Sequence, residues 1–144
     1  HILLGGNHAP EMGGGPLEVE AQIVSITDGR FRCYGPSFLG GGVWRSFGTS
    51  IMMRVGGIEV AVISRKEQTV DLAQLTSLGI DPFHCATIAL KSYHHFRAAF
   101  EPIARDVITV DGGGMAGSTA MSKVLYRHVR RPIWPLDDVK LKRT

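Results

Sequence analysis

SIMMRVGGIEVAVIS, residues 50–64, is the stretch on which the prediction of the fold rests. Two largely apolar runs, residues 50–55 and 58–64, flank Gly56-Gly57, and glycine tolerates the positive φ that a tight turn requires. The pattern predicts an antiparallel hairpin. The run at 60–63 is apolar on both faces, which predicts that its strand lies centrally in a sheet.

The preceding segment has a similar organisation. Residues 17–23 alternate between apolar and polar side chains, and this period of two indicates a strand with one buried face. Asp28-Gly29 favours a type I′ turn, and residues 30–34 alternate again. The first half of the chain is therefore predicted to contain two antiparallel hairpins.

The pattern changes after residue 70, where a short helix is predicted. Asp71 can cap its start, and Gly79 stands where a helix C-terminus favours glycine. Between them, leucines recur at positions 72, 75 and 78, a spacing that places them on one face.

A strand, a helix and a second strand are predicted next. Residues 84–91 indicate a buried strand, Ser92 can cap a helix that Pro102 ends, and residues 106–110 indicate the following strand. This order predicts a right-handed parallel crossover. The expected fold class is α/β (mixed α+β), with two antiparallel β-hairpins followed by a βαβ unit in a mixed sheet, and a single domain over 1–144.

Composition narrows the classes of function. The 144 residues, 44% of them hydrophobic, suffice for one core, and no apolar run approaches the length of about 20 that a membrane helix needs. The net charge of +3 comes from basic residues near the C-terminus, without the aromatic residues or motif that nucleic-acid binding requires. Two cysteines without CxxC spacing suit a reducing compartment. We expect a soluble cytoplasmic protein without nucleic-acid or membrane partners.

The chain starts His1-Ile2-Leu3-Leu4, without an initiator methionine and within a strand-like apolar run. This start predicts that a further region precedes these residues in the natural protein.

Lys91-Ser92-Tyr93-His94-His95-Phe96-Arg97 is the candidate functional segment. In the predicted crossover both strands end at one sheet edge, which would bring this segment near Asp111 and the glycines at 112–114. Its cations, imidazoles and hydroxyls suit an anionic or carbonyl-bearing group. From the pattern alone, a capped helix with solvated side chains remains the alternative.

The same sequence does not predict a metal site within the chain. Adjacent histidines such as His94 and His95 point in different directions on a helix, His8 and His84 are isolated, and HExxH is absent. Cys85 opens an apolar strand and favours a core role over a nucleophilic one. The glycines at 112–114 favour a tight turn over a nucleotide loop.

The chain resembles the C-terminal domain of MlrC-type proteins, the microcystin-degradation metallopeptidases. The resemblance extends from about residue 5 to residue 138 and is strongest in Lys91-Ser92, His95-Phe96-Arg97-Ala98-Ala99-Phe100, Pro102-Ile103-Ala104, Val107-Ile108 and Val110-Asp111. Supporting stretches are Asp28-Gly29-Arg30-Phe31, Arg54-Val55-Gly56-Gly57, Gly79-Ile80-Asp81-Pro82 and Arg131-Pro132-Ile133-Trp134-Pro135-Leu136-Asp137.

The resemblance implies a larger zinc-dependent peptidase or amide hydrolase whose N-terminal domain carries most or all of the zinc ligands. That domain and a peptide or amide substrate are the partners it implies, and this chain would close the cleft and be inactive alone. It favours a substrate-facing segment, with His95 and Arg97 as catalytic candidates and Lys91, Ser92, His94 and Asp111 as substrate-binding ones. The competing hypothesis is a non-catalytic module that binds an anion or assembles a homo-oligomer.

The sequence also departs from the family pattern. Asn7 and Ala9 stand where members often carry Lys and Asp, and Asp111-Gly112-Gly113-Gly114 lacks the proline of the usual Asp-x-Pro-Gly. These differences predict a different substrate or reduced peptidase activity, and microcystin is not the expected substrate.

Overall fold

The computed structural model describes residues 1–7, 10, 14–36, 41–112, 125–134 and 136–139. The chain divides into two compact units, one of residues 1–4 and 17–109 and one of residues 5–16 and 110–144. Strands and helices of the first unit are β1 (Ile2–Leu4), β2 (Leu17–Val19), β3 (Gln22–Thr27), β4 (Arg30–Arg32), β5 (Trp44–Ser46), β6 (Ser50–Val55), β7 (Ile58–Ile63), α1 (Ala73–Thr76) and α2 (Arg97–Phe100), which a 3₁₀ turn at Glu101–Ile103 follows. This composition confirms the mixed α+β class.

The strands form three small antiparallel sheets, β1-β2, β3-β6-β7 and β4-β5. The hairpin predicted from residues 50–64 is confirmed as β6-β7, and Gly56 has the positive φ of 57° that its turn requires. The predicted central position of residues 60–63 is wrong, because β7 is an edge strand and β6 is the central one.

The predicted hairpin around Asp28-Gly29 is also wrong. β3 pairs with β6 in five register positions, whereas β4 pairs with β5. A local turn signal was outweighed by a longer non-local ladder, which also lets Ser25 Oγ donate a hydrogen bond to the carbonyl of Leu78 at 3.0 Å. Asp28 instead accepts from the N–H of Arg30 at 3.0 Å, which stabilises the change of direction between two sheets.

The predicted short helix forms, with both of its end signals in place. The N–H of Ala73 donates to Asp71 Oδ1 at 2.9 Å, and the N–H of Asp71 donates to Gln74 Oε1 at 2.9 Å, a reciprocal cap. Gly79, at φ 86°, follows the helix, and the next N–H, that of Ile80, reaches the carbonyl of Leu75 at 3.2 Å. This is the Schellman pattern that glycine permits.

Two clusters of buried side chains form the core of the first unit. The first joins Phe31, Cys33, Phe47 and Ala73, with the two phenylalanine rings 4.9 Å apart between centroids. The second joins Met52, Leu78 and Ile80, with Leu75 and Cys85 packed against it. Together they bring the loop after β4 and one face of the three-stranded sheet against the α1 region.

The predicted βαβ crossover is wrong in its strands. Residues 84–91 and 106–110 are described and neither stretch is a strand. An extended segment becomes a strand only when another backbone pairs with it, and apolar periodicity does not supply that partner. The helix is shorter than predicted as well, since it begins at Arg97, while Ser92 Oγ donates to Gln68 Oε1 at 3.4 Å. Pro102 lies in the 3₁₀ turn that ends it, as predicted.

Some predictions fall on residues outside the described ranges: His8, Ala9, Gly113 and Gly114. Within those ranges, none of the helices is both long enough and apolar enough to cross a bilayer.

Candidate functional site

The segment 91–97 lies in turns that lead into α2. The side chains of Lys91, His94 and His95 are exposed, and Tyr93 is 71% exposed. Because no strand leads directly into these turns, the segment does not lie at the predicted sheet edge. What the structure does bring together is a run of basic and aromatic side chains on an accessible turn.

Arg97 has contacts on its own helix. Its Nη1 lies 3.1 Å from Glu101 Oε1, and the guanidinium carbon lies 5.6 Å from the centroid of the Phe96 ring. The side chain is 33% exposed, so part of its charge is compensated locally while an edge remains accessible. Arg97 and Glu101 are four positions apart, a spacing at which side chains on one helix come into contact.

The two neighbouring histidine rings lie in an edge-to-face arrangement. The rings of His94 and His95 are 6.4 Å apart between centroids and inclined at 66°. Asp111 belongs to the second unit, where it is exposed.

Asp81 and His84 form a pair that the sequence reasoning missed. His84 Nδ1 lies 2.6 Å from Asp81 Oδ2, and Asp81 Oδ1 accepts from the N–H of Phe83 at 3.0 Å. The imidazole is 86% exposed, so its Nε2 edge faces solvent. The prediction that His84 is isolated is wrong, and the spacing Asp-x-x-His around Pro82 is the sequence signal for the pair.

This pair lowers the pKa of the Asp81 carboxyl, first through the hydrogen bond from His84 and then through that from the Phe83 N–H. We expect His84→Ala to raise that pKa toward its ordinary value, because the largest stabiliser of the carboxylate is lost. Carboxyl carbon chemical shifts across an NMR titration would measure it. The sign follows from the depressed pKa: the interaction is complete above the ordinary aspartate range and is lost as pH falls through the folded-state value. An unchanged Asp81 titration in His84→Ala would contradict the pairing.

The cysteines are structural in character. Cys33 is 1% exposed, and burial, followed by the charge of Asp71, raises the pKa of its thiol. Cys85 Sγ lies 3.3 Å from the carbonyl of Asp81 and packs against the second buried cluster. The predicted core role of Cys85 agrees with this packing.

The described ranges contain His, Cys, Asp and Glu side chains, the residue types that bind zinc. No three His, Cys, Asp or Glu side chains among them are grouped so that they could hold one. The Asp81–His84 pair offers a single outward imidazole, whereas a structural or catalytic zinc ion takes three or four protein ligands. The described residues therefore do not fit a complete zinc site.

Comparison with known proteins gives a consistent result. The family model for the MlrC C-terminus matches residues 1–128. Microcystinase C from a Sphingomonas species is 24% identical over 135 residues, which are 93% of this chain and 24% of that protein. The crystal structure of a candidate metallopeptidase from Mesorhizobium sp. BNC1 superposes with a TM-score of 0.67 at 24% identity, over 90% of this chain and 25% of the other.

The chain thus spans about a quarter of the length of the relatives that it matches. The structural likeness supports the fold, and the family model covers most of the sequence that carried the resemblance. The chain belongs to the MlrC C-terminus family.

Proposed function

We propose that this chain is the C-terminal domain of a zinc-dependent peptidase or amide hydrolase and that it closes one side of the active-site cleft. The observation that carries the proposal is the family match over residues 1–128, together with relatives named for microcystin cleavage and metallopeptidase activity. Because this chain matches only about a quarter of each relative, the chemistry of the whole enzyme would need the remaining region.

In this proposal zinc belongs to the complete protein and is held mainly by its N-terminal domain. The described residues of the present chain offer no group of three ligands, so they would contribute to substrate binding. A peptide or amide substrate presents carbonyl oxygens and carboxylates, for which cationic and imidazole side chains are suitable partners.

The proposed substrate-facing residues are those of the turn before α2. His95 and Arg97 are placed nearest the reacting carbonyl, where they would stabilise negative charge that develops during hydrolysis. Lys91, Ser92, His94 and Asp111 are assigned to binding the rest of the substrate. The exposure of Lys91, His94 and His95 supports accessibility to a substrate.

The test compares Arg97→Ala with Glu101→Ala in the complete enzyme. Both variants remove the same ion pair, which is exposed at 33% and 52% and contributes about 0.5 kcal/mol or less to folding. Only Arg97→Ala removes the proposed cation, so we expect its kcat/KM for peptide hydrolysis to fall about 100-fold, as for other groups that stabilise an oxyanion. Glu101→Ala should retain activity close to that of the unmodified enzyme.

Turnover of a peptide panel and thermal unfolding should be measured for both variants and for His95→Ala. Equal activities of Arg97→Ala and Glu101→Ala, with intact folding, would reject the role of Arg97. Zinc analysis of the same preparations is an independent check, since an active complete enzyme without zinc would contradict the metal assignment.

A further inference from the structure

The three-stranded sheet has one face made of aliphatic side chains. Register pairs place directly opposed residues on the same side of a sheet, so the pairing of β3, β6 and β7 identifies this face. Its members are Ile23, Ile26, Ile51, Met53, Val55, Ile58, Val60 and Val62. We call these eight residues the aliphatic face.

The opposite side of the same sheet is packed in part. Met52 joins the cluster with Leu78 and Ile80, and Ser25 donates to the Leu78 carbonyl. The ion pair between Arg54 and Glu59 also lies on that side, because these two residues are register partners there. The aliphatic face therefore carries no charged side chain.

Three isoleucines of the aliphatic face are exposed to solvent. Ile23 is 54% exposed, Ile26 63% and Ile58 67%, whereas Met53 is 4% exposed. The remaining four members of the face are half-buried. Isolated exposed apolar residues are common, whereas a contiguous apolar patch of a few hundred Å² on a folded protein is often an interaction surface. The same feature accounts for Ile58, Val60 and Val62, apolar residues on one side of an edge strand.

We propose that the aliphatic face packs against an apolar surface in the remaining region of an MlrC-type polypeptide. This inference rests on the proposed function to the extent that both require such a region. Relatives are about four times as long as the segment that this chain matches, so they contain protein surface that the chain does not supply. The absence of charge on the face requires a partner surface that is itself apolar.

The size of the face favours a partner on the same polypeptide over a second copy of the chain. Three strands spaced by about 4.8 Å and six residues long at about 3.4 Å each give roughly 300 Å². Stable association of free proteins buries about 800 Å² on each partner. A covalently connected partner needs less area, because the connection holds it at a high effective concentration.

The first experiment measures burial of the face with an introduced thiol. Ile58→Cys lies on the aliphatic face, and Ala61→Cys, on the same strand but the opposite side, is its matched control at an exposed position. Maleimide labelling is followed by peptide mass spectrometry, which separates the new sites from Cys33 and Cys85. We expect labelling of Ile58→Cys to be at least about tenfold slower in the complete polypeptide encoded by the gene than in the 144-residue chain, with little change for Ala61→Cys.

The second experiment uses Ile26→Glu. Because Ile26 is more than half exposed, the 144-residue chain should tolerate the charge with little change in Tm. In the complete polypeptide the same change should lower Tm by about 4 °C or more, since it places a charge in a buried apolar contact.

Equal labelling rates in the two proteins would overturn the proposal, as would equal Tm shifts. A concentration-dependent dimer of the 144-residue chain that Ile26→Glu abolishes would also overturn it, because the partner would then be a second copy. If the complete polypeptide protects the face but hydrolyses no peptide, the proposed function is rejected and the proposed interface is supported.

Discussion

Asp71→Ala is expected to lower the free energy of unfolding by about 3 kcal/mol, because it removes the partner of two backbone N–H groups in a buried position. Asp71 is 0% exposed, and its two carboxylate oxygens accept from Ala73 and Gly35, each at 2.9 Å. The side chain thereby joins the start of α1 to the loop after β4, two segments 36 positions apart at Gly35 and Asp71. Urea denaturation, with the slope compared between proteins, measures the loss.

Two controls separate this connection from a general effect of lost charge. Asp71→Asn keeps one oxygen acceptor and should lose about half as much stability. Asp106→Ala removes an exposed ion pair with Arg105, whose side chains are 67% and 96% exposed, and should cost less than about 0.5 kcal/mol. If Asp71→Ala were no more destabilising than Asp106→Ala, the buried link would have no energetic role.

Gly29→Ala is expected to cost more than about 3 kcal/mol, through a steric conflict that the backbone cannot relieve cheaply. Gly29 has a φ of 66°, and a Cβ built there would lie 2.0 Å from the carbonyl oxygen of Gly48 and 2.5 Å from Ser50 Oγ. The approach is close because the N–H of Phe47 donates to the carbonyl of Gly29 at 2.9 Å. An added methyl group would push apart the turn after β3 and the loop before β6.

Gly56→Ala is the matched control for this prediction. Gly56 also has a positive φ, 57°, but a Cβ there would meet no other atom within 4 Å. Its cost should therefore be the conformational term alone, about 1 kcal/mol. Thermal and urea unfolding of both variants measure the difference, and similar losses for the two would show that the contact with Gly48 does not constrain the fold.

The structural predictions that were confirmed depend on residues close together in the sequence. Ser50–Val55 and Ile58–Ile63 are joined by two glycines, so the β6-β7 hairpin needs no information from elsewhere in the chain. The helix cap at Asp71 and the glycine at 79 act within one turn of the residues that they stabilise. The family resemblance likewise depended on residue order, which the family model matches over most of the chain.

The candidate site was predictable in part. The sequence indicated the basic segment 91–97 as a candidate, but the structure shows exposed turns there and not the predicted junction of a strand and a helix. The sequence did not reveal that Arg97 pairs with Glu101 or that Asp81 holds His84, because these contacts depend on the backbone path of short turns.

By itself, the sequence determined the family, the mixed α+β composition, the β6-β7 hairpin and the ends of α1. Only the tertiary structure decided that β3 pairs with β6, that residues 84–91 and 106–110 are not strands, and that three isoleucines of the aliphatic face are exposed. The physical reason is that a turn or a cap is stabilised by residues a few positions apart, whereas a strand needs a backbone partner and an apolar face needs a covering surface. Neither requirement is specified within the segment that carries it.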